Sequence, residues 1–302
     1  MSINRRGFLK LVAGAGVAGA AATVGAPQAQ ASEDFAGHPD RFGVLCDLSK
    51  CIGCRSCEEA CDQVNELGKD PAYFADEKVM DTTRRSAHNM FTFVNKFQPT
   101  KDGQPDGGPV FVKNQCMHCD EPACFSACLA KAFDKTPEGA VVYNSWKCIG
   151  CRYCMQACPF YIPAYEYHEA FTPRVRKCTM CHDRIKEGGV PACVETCPMD
   201  AIVFGKRSDM LKIATKRLLN DSSYEDHIYG QYEVGGTCWM YISKKPFDQL
   251  GFKMNLGTTA LPKLTYGYLA TIPVMHITLP IILAGFYAIT KGRKNGQDKG
   301  VK

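Results

Sequence analysis

Lys147–Pro159 reads KCIGCRYCMQACP. Its four cysteines, Cys148, Cys151, Cys154 and Cys158, are spaced C-x2-C-x2-C-x3-C and are followed by Pro159. In this spacing three thiolates wrap one cubane of iron and sulfide, and the fourth, on a short helix, reaches a second cubane. A thiolate committed to another centre demands a partner motif elsewhere in the chain.

Three further motifs are present. Cys51, Cys54, Cys57 and Cys61 repeat the spacing, and the hexapeptide KCIGCR occurs both at Lys50–Arg55 and at Lys147–Arg152, an internal repeat. Cys116, Cys119, Cys124 and Cys128 form C-x2-C-x4-C-x3-C. Cys178, Cys181, Cys193 and Cys197 form C-x2-C-x11-C-x3-C-P. The last two share the tripeptide PAC. Sixteen of eighteen cysteines are thereby used, and Cys46 and Cys238 remain. Both are expected in the core, Cys46 on a strand Phe42–Asp47 and Cys238 on a later strand.

Such clustering reads as metal binding rather than as a disulfide framework, whose spacings are less regular. Zinc also uses C-x2-C pairs, but joins two separated pairs. It does not place four cysteines within eleven residues, as the first and third sets do. The net charge of +5 is concentrated at the two ends. The first 31 residues contribute three positive charges and the last twelve contribute four, so the middle is slightly acidic. Nucleic-acid binding has no support.

Residues 1–31 read as a targeting segment. Arg5-Arg6 precede Phe8-Leu9-Lys10, a mild Ala/Gly-rich run follows, and Ala29-Gln30-Ala31 gives a small-x-small cleavage site. This resembles a twin-arginine export signal. That route carries folded proteins, which suits clusters inserted before export. It implies a mature protein outside the cytoplasm.

Between Cys61 and Cys116 lies an insert of 54 residues, 62–115. It reads either as a cover or docking element, or as a solvated loop. Beyond it, Phe111-Val112 is expected as a strand, Ala123–Ala130 as a helix, Thr136–Gly139 as a turn and Val141–Tyr143 as a strand. Ala192–Thr196 is expected as a helix and Ala201–Gly205 as a strand. Asp62 and Leu129 stand where the motif ordinarily has proline; Pro159 and Pro198 keep it.

QCMHCDEPAC, KCIGCRYCMQACPF, KCTMC, PACVETCP with FGKR, and VGGT before Cys238 resemble the four-cluster, ferredoxin-type iron–sulfur subunits of membrane-bound bacterial oxidoreductases. That family includes subunits of hydrogenase-2, formate dehydrogenase, nitrate reductase and dimethyl sulfoxide reductase. The resemblance covers most of Phe42–Ser243 and is strongest to the hydrogenase-2 iron–sulfur subunit. It implies an α+β fold of two interleaved ferredoxin-like dicluster modules, within residues 42–206, that bind four [4Fe–4S] clusters. It also implies the pairing, which spacing alone leaves open. Cluster 1 would be held by Cys51, Cys54, Cys57 and Cys197, and cluster 2 by Cys178, Cys181, Cys193 and Cys61. Cluster 3 would be held by Cys116, Cys119, Cys124 and Cys158, and cluster 4 by Cys148, Cys151, Cys154 and Cys128.

His118 and His182, beside ligands, are candidate hydrogen-bond donors to cluster sulfur or simply packed histidines. Lys50, Arg55, Lys147 and Arg152 read either as countercharges or as solvated cations. Residues 207–263 read as an extension or linker with a helix at Asp209–Leu219. Residues 264–290 lack Asp, Glu, Lys and Arg and are long enough to span a bilayer. The basic tail 291–302 that follows places that end in the cytoplasm by the positive-inside rule. His276 falls near the middle of the span; it faces either a redox partner or a neighbouring helix.

No nucleophile–base pair, phosphate loop, nickel or pterin signature is present, so the chain is expected to be non-catalytic alone. The expected role is electron transfer between a periplasmic catalytic subunit and an integral-membrane, quinone-reactive subunit. A hydrogenase is favoured as the catalytic partner because the chain carries its own export signal. The alternatives are a formate dehydrogenase or other molybdenum or tungsten enzyme, and a freestanding membrane-tethered polyferredoxin.

Overall fold

The structure, a computed structural model, describes residues 40–297. The export-signal reading therefore lies outside the described residues. Strand Phe42–Asp47 is the middle of a three-stranded sheet, antiparallel to Ile202–Lys206 and parallel to Trp239–Ile242. A central strand is covered on both faces, and FGVLCD is buried from Gly43 to Asp47. Side chains alternate between the faces. Val44 and Cys46 enter the main core with Val94, Val112, Trp239 and Tyr241. Leu45 enters a second core with Met240 and Ile242, under Met210 and Ala214 of helix Arg207–Asn220.

Residues 207–262 are thus folded into the domain and supply one of its sheet strands, which a linker would not do. Cys238 lies one residue before that strand, fully buried, and its Sγ donates to the Gly139 carbonyl at 3.2 Å.

Helix Ser56–Asn65, from the first cysteine motif, packs on helix Ala192–Glu195 from the last. Helices Ala123–Ser126 and Tyr153–Ala157, from the two middle motifs, pack on each other. Hairpin Phe133–Lys135/Val141–Tyr143 and the pair Ala164–Tyr165/Val175–Arg176 flank them, with Phe133, Val141 and Val175 as their core. An outer module made from the chain's two ends therefore encloses an inner one in sequence, and the chain is α+β as expected.

Proline explains a difference between the repeats. Pro159 follows Cys158 and helix Tyr153–Ala157 stops after five residues. Asp62 replaces proline after Cys61, and helix Ser56–Asn65 runs on to ten. Helix Ala123–Ser126 is shorter than expected because the chain turns at once to Cys128, whose Sγ accepts the Ala132 N–H at 3.2 Å.

The insert is not a solvated loop. Strand Phe93–Phe97 pairs antiparallel with Val110–Asn114, and Met80, Phe91, Phe93 and Val94 are buried.

The C-terminal helix, Leu261–Gln297, contains Pro273 and Pro280. Its Leu261–Lys291 segment contains an 18-residue window with a mean hydropathy of 1.9 and is long and apolar enough to cross a membrane. His276 is exposed on it, and its Nδ1 lies 2.8 Å from the Ile272 carbonyl of the same helix.

Candidate metal centres

The two KCIGCR copies fold alike. Gly53 and Gly150 have φ of 73° and 70°, and Arg55 and Arg152 have φ of 63° and 60°. These left-handed residues coil the loop so that its cysteines face inward. In the first copy Cys51, Cys54 and Cys57 line a cavity together with Cys197, walled by Val94, Ala201 and Ile202. A second cavity is lined by Cys61, Cys178, Cys181 and Cys193, with Phe91, Thr92 and Trp239. Cys119 has Cys116, Cys124 and Cys158 as its electrostatic neighbours. Cys154 has Cys148, Cys128 and Cys151. All eighteen cysteines are free thiols.

These four groups lie in a row. Cys57 of the first neighbours Cys193 of the second. Cys178 of the second neighbours Cys116 of the third, and both pack with Cys158. Cys124 of the third packs against Cys154 of the fourth. The terminal groups each reach the surface, at Cys54 and at Cys151.

Burial pushes these thiols up: Cys51 and Cys158 to about 11, and Cys124, Cys154 and Cys178 to about 12. Neighbouring thiols add to the rise. Bare thiolates are therefore disfavoured, and only a strongly cationic core deprotonates such a set. Among the described residues no three His, Cys, Asp or Glu side chains converge as one metal ion requires. The sulfurs surround cavities, which suits a polynuclear cube.

The polar surroundings fit it as well. His118 is fully buried, and burial with nearby Lys177 and Lys135 holds it well below the ordinary histidine value. It is neutral, and its Nδ1 accepts the Val141 N–H at 2.8 Å. The proton therefore sits on Nε2, which has no acceptor among the described residues. Trp239 Nε1, on the side chain that walls the second cavity, is equally unpartnered. Buried N–H groups rarely stay orphaned, and inorganic or cysteinyl sulfur is the acceptor that a bound cluster supplies. Backbone N–H groups already point at thiols, from Gly150 to Cys148 at 3.4 Å and from Met180 to Cys178 at 3.3 Å.

Residues 109–207 match the model of the 4Fe-4S dicluster domain. A protein of Nitratidesulfovibrio vulgaris is 47% identical over 293 residues, 97% of this chain and 78% of that one. Hydrogenase-2 operon protein HybA of Escherichia coli O157:H7 is 32% identical over 276 residues, covering 82% and 83%. The nitrate-inducible formate dehydrogenase iron–sulfur subunit of Escherichia coli K12 is 37% identical over 202 residues, 66% of each chain. The chain belongs to this family of ferredoxin-type iron–sulfur subunits. It is an electron-transfer subunit of an oxidoreductase complex and is not catalytic alone.

Several groups in this iron–sulfur subunit carry no sequence signal. Arg55 and Arg152 occupy equivalent repeat positions, yet Arg152 is exposed whereas Arg55 is buried. Arg55 pairs with Glu58 at 3.0 Å and donates to the carbonyls of Tyr73, Phe74 and Asp76. It fastens the insert and is not a solvated cation. Lys147 is exposed and Lys50 partly so. Besides Arg55, the buried cations among the described residues are Lys113 and Lys177, which the spacing of the cysteines does not reveal.

Proposed function

We propose that the chain relays single electrons through four [4Fe–4S] clusters between a periplasmic catalytic subunit and a membrane subunit that reacts with quinone. The ligand sets are Cys51, Cys54, Cys57 and Cys197; Cys178, Cys181, Cys193 and Cys61; Cys116, Cys119, Cys124 and Cys158; and Cys148, Cys151, Cys154 and Cys128. Each cluster supplies a one-electron couple when bound. The protein holds the groups in sequence, keeps every cysteine of the middle two buried or half-buried and leaves one cysteine of each end group at the surface.

The observation that carries this reading is that row of four buried or half-buried cysteine groups, whose fully exposed members are Cys54 and Cys151. The twin-arginine pattern of residues 1–31, the apolar helix and the basic tail support attachment to the outer face of the inner membrane, with the C-terminus cytoplasmic. A hydrogenase is the favoured partner, supported by alignment with the hydrogenase-2 operon protein along most of both chains. The second reading, a formate dehydrogenase or another molybdenum or tungsten enzyme, is favoured by the 37% identity of the formate dehydrogenase subunit.

Metal analysis of the complex purified from membranes tests both levels. About sixteen iron atoms per copy of this chain, after the partners' share is subtracted, is the expected result. Zinc in place of iron overturns the relay. Nickel beside the iron supports a hydrogenase; molybdenum or tungsten transfers the assignment to the second reading.

A further inference from the structure

Lys113 is the one residue among those described that lines both the first and the second cysteine cavity. It lies on strand Val110–Asn114 and is 1% exposed. A buried ammonium ordinarily sits against a carboxylate. Here its neighbours are neutral: Nζ donates to Gln115 Oε1 at 2.7 Å and stands 4.2 Å from the centroid of the Trp239 ring. The charge is also fixed in place. Gln115 Nε2 donates to Tyr241 Oη at 2.6 Å, and Tyr241 Oη donates back to the Lys113 carbonyl at 3.0 Å. That closed ring orients the Gln115 amide and anchors the lysine at both ends.

On one side of this cation lie Cys51, Cys54, Cys57 and Cys197, and on the other Cys61, Cys178, Cys181 and Cys193. A second buried lysine, Lys177, lies 5.9 Å from the centroid of the Phe133 ring in the inner module and donates to the Cys178 carbonyl at 3.1 Å.

We propose that Lys113 is a shared countercation that raises the reduction potentials of the two outer-module centres together. A cubane held by four thiolates is net anionic, and reduction adds one further negative charge. A cation placed between two such centres therefore stabilises the reduced form of each more than the oxidised form. Because one ammonium serves both, its removal lowers both potentials in one step and leaves the inner pair in place. The inference rests on the four-cluster reading.

The test is a redox titration, monitored by electron paramagnetic resonance, of the purified complex with wild-type chain, Lys113→Met and Lys113→Arg. Four reductive waves assigned to this chain in the wild type establish the reading beneath the inference; fewer waves overturn that reading itself. In Lys113→Met two of the four waves are expected to fall. The reduced-to-oxidised ratio at fixed ambient potential drops about tenfold, or about 59 mV for a one-electron couple. The other two waves hold, and Lys113→Arg restores the pair. Four unmoved waves in Lys113→Met overturn the inference, as does an equal fall in Lys113→Arg. If Lys113→Met assembles without the outer pair, Lys113→Gln is the second neutral variant. Retention of that pair only with Arg supports the countercation, and its loss in all three variants overturns it.

Discussion

Arg84 grips Glu58 through two parallel hydrogen bonds, Nη2 to Oε1 at 2.6 Å and Nη1 to Oε2 at 2.9 Å. Glu58 lies on the helix that carries Cys57 and Cys61, and Arg84 lies in the insert. The same carboxylate pairs with buried Arg55 and accepts the Val94 N–H at 2.6 Å. One side chain thus fixes the insert over the first two cysteine cavities, whose walls include Val94, Phe91 and Thr92.

Glu58→Ala leaves two guanidinium groups facing a buried site without their anion. Removing one partner of a buried pair costs about 3–5 kcal/mol. We expect a lowered melting transition and loss of iron from the outer module before the inner one. Calorimetry combined with iron analysis checks both.

The two repeat glycines separate sharply. A Cβ on Gly53 would lie 2.4 Å from the Phe111 ring, whereas one on Gly150 would meet only Tyr165 Oη at 3.1 Å. Both positions carry the left-handed cost of about 1–2 kcal/mol. Gly53→Ala adds overpacking of about 1–3 kcal/mol. The expected order of stability is wild type, then Gly150→Ala, then Gly53→Ala, read from denaturant midpoints of the loaded protein.

How much of this was legible in the sequence follows from the range of each contact. The cysteine spacing, the KCIGCR loops, strand Phe42–Asp47 and the apolar helix are local patterns, and each is visible in a short window. The role of the insert was not, because it depends on single residues such as Arg84 and Val94 meeting partners far along the chain. Lys113 gives no sequence signal either. A lysine in a short strand reads as solvent-facing until Trp239, supplied by the supposed linker, closes over it. The divergence of Arg55 from Arg152 has the same origin, since Arg55 meets carbonyls of the insert whereas Arg152 lies by the rings of Tyr165 and Tyr167.

Cys61→Ser removes a ligand of the second proposed centre while leaving the other three sets complete. One of four paramagnetic centres should be lost or converted. Electron transfer between substrate and quinone should fall by orders of magnitude, because the gap opens inside the row and not at an end. Single-turnover reduction of the complex distinguishes this from lost assembly.

Glu166 provides an acid-sensitive clamp beside the inner module. Burial raises its carboxyl, but hydrogen bonds from Arg174 and the charges of Arg174 and Arg176 outweigh this and hold it below the usual carboxylate value. A depressed folded value means that its stabilisation is complete above about pH 4.3 and is lost as pH falls through the folded value. Melting temperature should therefore decline more steeply with acid in the wild type than in Glu166→Gln. Parallel acid limbs would refute the assignment.

Ending the chain after Ala260 removes the whole apolar helix. The shortened protein is expected in the soluble fraction with its cysteine groups intact, and fractionation with iron analysis reports both.

The nesting of one module inside the other sets a timetable for the nascent chain. The inner cysteine groups are complete once Cys158 has been synthesised. The first motif, by contrast, emerges earliest and waits longest. Cys51, Cys54 and Cys57 have no fourth neighbour until Cys197 appears, and strand Phe42–Asp47 lacks one flank until Trp239–Ile242 is made. Until Cys197 has been made the chain therefore presents four mutually close thiols without their partners, and an apolar strand that still lacks a flank, at its leading end. Biogenesis must shield that leading end from oxidation and misjoining until the final third of the domain arrives.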